Sequence, residues 1–333
     1  MKYKNKILQG MIYGRLWLLT FLILHSSFFI LSSCQDKRAR DDQGKTSACW
    51  IYAMLECVEH EAAKRGDSVQ LSRQWLMAKE LTEQTERRYL VGDGKISLRG
   101  VGPEALRLIN TYGLIPYQHE KTEITKSSVL ERKLDLLASQ AKSLEELREQ
   151  MTDLLPQFTT TRPRDGRLPA FYYLSMRYNP LQFAESVMYY QHWHFFASVP
   201  YHPYGRPFVL EVADNYNHHE YMNLPMDSIV TRVIASLRRG HAVYWEYGEK
   251  TKDGGVSSNH AMAIVGMKEG VKGEVKEGVK GEVKRGVKEE SNLKFVCKNS
   301  YGKQWGNKGY CLVSLEDFKN KTCNIGITDE GIQ

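Results

Sequence analysis

The chain has 333 residues, 42% hydrophobic and 26% charged, a globular composition with room for one large domain or two lobes around a cleft. Its formal charge of +7 owes much to the leader, since Met1 to Ser33 carries Lys2, Lys4, Lys6 and Arg15 and no acid, leaving 42 basic against 39 acidic residues, or +3, in the remainder. So balanced a remainder gives no electrostatic case for nucleic acid.

The leader has a basic start, an apolar run from Leu16 to Leu31, and then Leu31-Ser32-Ser33-Cys34. A short apolar core ending in small residues is the pattern of an export signal rather than a membrane-spanning helix. L-S-S-C resembles a bacterial lipobox. The expectation is a lipoprotein signal peptide over 1–33, lipidation at Cys34 and a polar tether over 34–42. A lipid on Cys34 would anchor the exported chain to a bacterial membrane, and Gln35 after it suits the outer membrane of a Gram-negative cell. Four further cysteines, Cys57, Cys297, Cys311 and Cys323, match no zinc spacing and read mainly as small buried hydrophobes, although export permits a disulfide among them.

In chain order, the spacing of Trp50, Ile51, Met54, Leu55 and Val58 predicts a helix from Cys49 to Arg65, stopped by Gly66. A second helix is expected from Ser72 to Tyr89, and a third from Pro103 to Tyr112, with Pro in the first turn and Gly113 after the last. Ser143-Leu144-Glu145-Glu146 reads as a capping box, followed by an apolar stripe of Leu144, Leu147, Met151 and Leu154. Pro156 to Pro169 reads as a loop. From Trp193 the pattern turns to strands: Pro207 to Ala213, Ala242 to Tyr247, Ala261 to Met267, Leu293 to Lys298 and Tyr310 to Ser314, with one helix, Asp227 to Arg239, among them. Helices first and strands later predict an α+β fold. Within the strand-rich part, EGVKGEVK at 269–276 recurs letter for letter at 277–284, and 269–290 reads as a solvated loop.

Three segments carry chemistry. In Gln43-Gly44-Lys45-Thr46-Ser47-Ala48-Cys49-Trp50, a Cys at a helix start lies where unpaired amides and the helix dipole favour a thiolate, lowering its pKa to roughly 3.5–7.5. The Cys49 amide and the Gln43 side-chain amide together suit an oxyanion. Ser258-Asn259-His260 puts a His at the head of an apolar strand, and Asn299-Ser300-Tyr301-Gly302 puts an Asn at the end of the next. Neighbouring strands would let Asn299 orient the imidazole while His260 takes the thiol proton. His192, His194, His218 and His219 have no carboxylate at ligand spacing, so neither a metal nor a cofactor is expected.

These segments resemble those of papain-like cysteine peptidases. Gln43 stands six residues before Cys49, as the family's oxyanion-hole Gln does, and KNSYGKQWGNKGYCLV at 298–313 is similar to its Asn-Ser-Trp-Gly block. Within the superfamily, the segment from His202 to Ile229 and NPLQFAESV at 179–187 resemble bleomycin hydrolase and bacterial aminopeptidase C. The resemblance implies a helical lobe over 43–120 with Cys49, a helical insertion over 121–190, a β-barrel-like lobe over 191–333 with His260 and Asn299, and a cleft between. It also implies that Gly100, matching the second residue of the family's Gly-Gly pair, pairs with the substrate backbone, with Arg99 in place of the first. Tyr301 replaces the family's Trp, and Thr46 replaces a disulfide Cys. The segment after Asn299 is shorter than the bleomycin hydrolase arm that limits those enzymes to chain ends, so aminopeptidase and endopeptidase both stand. The closed hexamer of those relatives sits awkwardly with a lipid tether near the site. The expected partners are a peptide or protein substrate and the membrane; the alternative is a non-catalytic peptide-binding lipoprotein of the same fold.

Overall fold

The computed structural model describes residues 41–92, 94–124, 126–158, 169–189, 191–250, 256–268 and 293–332. The signal peptide, Cys34, most of the tether and the repeat at 269–290 lie outside the described residues.

Helix α1 (Cys49–Lys64) starts at the predicted residue and ends one turn-residue short of Arg65, with Gly66 following at φ +97°. Its buried face runs through Trp50, Ile51, Met54, Leu55 and Val58. Helix α2 (Arg73–Val91) is capped by Ser72, whose hydroxyl accepts from the Trp75 amide. Helix α3 (Gly102–Tyr112) has its Pro in the first turn as expected. Helices α4 (Ser127–Gln140) and α5 (Leu144–Leu154) follow. Ser143 caps α5, but the Glu146 carboxylate reaches back to the Lys142 amide, one residue before the position a capping box uses. Of the apolar stripe, Leu147 and Met151 are buried. The insertion is not wholly helical: a two-stranded hairpin, β1 (Phe171–Tyr173) and β2 (Met176–Tyr178), precedes α6 (Pro180–Met188).

The remainder is a sheet of eight strands: β3 (Trp193–Ala197), β4 (Pro207–Val209), β5 (Glu220–Asn223), β6 (Val243–Lys250), β7 (Val256–Lys268), β8 (Lys294–Lys298), β9 (Tyr310–Ser314) and β10 (Thr322–Thr328). The strand order is β4-β5-β3-β10-β6-β7-β8-β9. The expected barrel-like closure is therefore corrected: β4 and β9 are opposite edges, unpaired with each other among the described residues. One edge is blunt, because β4 is three residues long and begins with Pro207, which has no amide to donate.

Side-chain alternation divides this sheet between two cores. Met262 and Ile264 of β7, with Trp245 of β6 and Ile325 of β10, face helices α7 (Met226–Arg238) and α8 (Leu315–Lys321). Ala261 and Ala263 face the other way, toward α1. Their small size lets the helix lie close against β7, which places the start of α1 beside His260.

Candidate active site

Cys49 is the first residue of α1, and its N-cap, Ala48, offers no side-chain acceptor. The Ile51 and Tyr52 amides donate to the Ala48 carbonyl, while those of Cys49 and Trp50, as at any helix start, have no intrahelical partner. His260 lies in β7, which extends upstream of the predicted start to Val256. Asn299 follows the last residue of β8, the strand that pairs with β7. The His260 Nε2 nitrogen and the Asn299 Oδ1 oxygen are 2.8 Å apart, and both residues are buried. Cys49 and His260 line one cavity of about 240 Å³, together with Gln43, Gly100, Glu246 and Tyr301.

The Asn299 carbonyl oxygen also accepts from the Ser300 amide at 2.7 Å, which fixes the face it turns to the imidazole. Tyr301 stacks on the His260 ring, centroids 4.8 Å apart at 19°, and Trp305 packs edge-on against Tyr301. Tyr301 thus covers one face of the imidazole. The preceding segment is tied to the same block. The Gly302 amide donates to the Asp41 carbonyl and the Gln43 amide to that of Ser300. Asp41 and Asp42, read as the end of a loose tether, are thus strapped beside the site.

Gln43 is held at both ends of its amide. Its Oε1 accepts from the Ser300 hydroxyl at 2.5 Å, and its Nε2 donates to the Thr46 carbonyl at 2.7 Å, leaving the second Nε2 hydrogen for another acceptor. Gly100 is fixed by packing: a Cβ there would lie 2.6 Å from the Trp50 ring, whose indole N–H donates to the Leu98 carbonyl. Arg99 lines the cavity too, but its guanidinium bonds the Asp214 carboxylate at 3.1 Å.

The thiol differs from the sequence expectation. Burial, reinforced by the nearby Glu246 and Asp214 charges, pushes the Cys49 thiol up to about 12, although the Ala261 and Trp50 backbone groups act to lower it. Burial also lowers the His260 pKa, against the bond to Asn299, which raises it. Desolvation outweighs the helix end here, so burial favours the uncharged form of both the thiol and the imidazole. The other described cysteines are free thiols; Cys57, Cys297 and Cys323 are buried, and Cys297 stands opposite Cys311 across the β8–β9 pair.

Among the described residues, two clusters have metal-ligand spacing, Glu61–His241–Glu330 and Glu80–Glu83–Glu104. Each already holds a cationic side chain: Lys64 lies 2.5 Å from the His241 Nε2, and Arg107 bonds Glu83 and Glu104. Of the four histidines weighed earlier, His219 contacts the Glu104 carboxylate at 2.7 Å.

Glu246 is the site residue that the sequence reading passed over. It occupies the α1-facing row of β6, between Asn324 of β10 and Ala261 of β7. An acid at an inward position of the apolar run AVYWEY was the available signal.

No protein-family model matches the chain, and no curated protein sequence matches it. Solved structures do. The chain is similar to PepW from Lactobacillus rhamnosis HN001, with a TM-score of 0.63 at 16% identity, covering 90% of this chain and 81% of that one. Looser likenesses include the cysteine protease and lectin-like domains of Cwp84 from Clostridium difficile, with a TM-score of 0.39 at 14% identity over 89% of this chain and 50% of that one. A mite allergen structure concerning Blo t 1 and Der p 1 gives 0.38 at 15% identity over 86% and 65%. The fold of this chain is the papain-like fold of cysteine peptidases.

Proposed function

We propose that this chain hydrolyses peptide bonds as a cysteine peptidase, with Cys49 as nucleophile, His260 as general base and acid, and Asn299 as the residue that orients His260. The observation that carries the reading is the His260–Asn299 bond of 2.8 Å beside a helix-start cysteine in one cavity. As the Cys49 sulfur attacks the substrate carbonyl carbon, its proton passes to His260. The carbonyl oxygen becomes an oxyanion, for which the Cys49 amide and the free Nε2 hydrogen of Gln43 are the donors. Collapse breaks the C–N bond and the amine leaves with the proton from His260. Water then attacks the thioester, giving its proton to His260, and the acid and free thiol are released. No cofactor enters these steps. On the L-S-S-C signal, the reaction takes place outside the cytoplasm, on a chain anchored through Cys34 to a bacterial membrane.

The experiment is turnover of fluorogenic peptides by the wild type and by Cys49→Ala. The variant should lose activity by at least about a thousandfold while unfolding at an unchanged temperature. Undiminished turnover in Cys49→Ala removes the assignment.

A further inference from the structure

Two cysteines that the peptidase chemistry does not use stand face to face. Cys297 of β8 and Cys311 of β9 are partners in the antiparallel register. Residues directly opposite in such a pair have Cα atoms about 4.5–5.5 Å apart, and a disulfide spans about 4.4–6.8 Å. Both side chains lie on the α7 and α8 side of the sheet. Cys297 is buried in the core that holds Met262, Ile264 and Phe295, and Cys311 packs against that core. The two sulfurs are in contact, the Cys297 thiol donating to that of Cys311. Among the described residues, no other two cysteines oppose each other across a strand pair.

The two thiols are unlike. Cys297 is buried, whereas Cys311 is half-buried on β9, the outer strand of the sheet. The bond from Cys297 lowers the Cys311 pKa, and the same bond, with burial, raises that of Cys297. A reachable sulfur of lowered pKa beside a buried one suits thiol–disulfide exchange, in which one sulfur attacks and the other resolves. Their place in the fold matters as well. The segment between them holds Asn299, Ser300 and Tyr301, the block that orients and covers His260. Gly302, Gly306 and Gly309 in that segment all have positive φ, so it has much freedom to lose on folding.

We infer that Cys297 and Cys311 form a dithiol that disulfide oxidants, small or protein-borne, convert into a cross-strand bridge at the base of the Asn299–Tyr301 loop. The Cys311 thiolate attacks one sulfur of the oxidant R–S–S–R, forms a mixed disulfide and releases R–S⁻. The Cys297 sulfur, having given up its proton, then attacks the Cys311 sulfur. The Cys297–Cys311 bond forms, the mixed disulfide breaks and a second R–S⁻ leaves. Two thiols are oxidised, one disulfide is reduced, and the two thiol protons end on the two R–S⁻. The bridge ties the edge strand β9 to the strand that ends at Asn299, and it restricts the unfolded chain around the loop. It lies across the sheet from the core that Cys49 packs against. The inference goes beyond the peptidase reading and does not depend on it. An exported chain, as the leader predicts, meets such oxidants outside the cytoplasm.

The test incubates Cys49→Ala, which removes the site thiol, in mixtures of glutathione and glutathione disulfide. Acid quenching, alkylation of free thiols and peptide mapping follow. The expected product is a linked pair, Cys297 to Cys311, two hydrogens lighter than the free dithiol. The bridged protein should unfold about 5 °C or more above the reduced one. Cys311→Ser should remove both the link and the shift, and Cys323→Ser should keep both. Cys297 and Cys311 both alkylated as free thiols in every mixture overturn the proposal. So does a link from either one to another cysteine, or a glutathione adduct on Cys311 that never resolves. A bridge that leaves the unfolding temperature unchanged overturns the staple at the loop base. The mapping needs no substitution at either cysteine, so it decides the matter even if Cys311→Ser fails to fold.

Discussion

At His260 two effects oppose each other. Burial favours the neutral imidazole, while the bond to Asn299 favours the charged one, and burial is the larger. A general base works only when unprotonated, so activity should rise with pH through a pKa below the ordinary 6.5. In Asn299→Ala the raising contribution is gone, so this acid limb should move further down. The rate should also fall, by roughly tenfold or more, because the imidazole loses its orienting bond. A pH profile of kcat/KM for the two proteins checks this; an acid limb that stays put or moves up contradicts it. The Cys49 expectation failed for a related reason. Sequence shows that a Cys opens a helix, and the helix end does act to lower the pKa, but no spacing reveals how much solvent the sheet removes from that thiol.

Among the elements, α1, α3, β8 and β9 were legible almost to the residue, because apolar periodicity and Gly or Pro punctuation coincide there. The segment Thr322–Thr328 was not. Asn324 and Gly326 are residue types depleted in strands, yet β10 lies in the middle of the sheet. Gly326 is there because a Cβ would come within 2.7 Å of the Phe195 ring on the neighbouring strand. The β1–β2 hairpin was hidden similarly: its turn uses Leu174 and Ser175 at positive φ rather than a Gly or Asn. Glu246 shows the limit most clearly, since its meaning depends on Asn324, 78 residues away. The β7–β8 connection carries an element-level prediction. Lys268 and Lys294 face each other in register, so a few residues suffice to join the strands. Deleting 269–288 should leave kcat/KM within about twofold, because closure entropy changes slowly with loop length. A protein that no longer folds after the deletion would show that the repeat is part of the structure.

For the whole molecule, the papain-like fold brings together groups from distant parts of the chain. Cys49 comes from α1, Asn299 from the end of β8, and the strap at Asp41–Gln43 joins the two. That strap sits a few residues after Cys34, so a lipid there would hold the site close to a membrane surface, within roughly 30 Å. Mass spectrometry of the mature protein should find a diacyl or triacyl cysteine at Cys34. An intact leader, or cleavage elsewhere, contradicts the anchor.

The account turns on Cys49 acting as a nucleophile with His260. The most direct measurement is covalent labelling by an epoxide inhibitor of cysteine peptidases, followed by peptide mapping. The thiol sulfur opens the epoxide, a C–S bond forms and the ring oxygen takes up a proton. The prediction is an adduct on Cys49, formed far more slowly in His260→Ala, with Cys57, Cys297 and Cys323 unlabelled because they are buried thiols and any label on the half-buried Cys311 independent of His260. An active wild type that carries no adduct on Cys49, or that labels equally fast without His260, would contradict it.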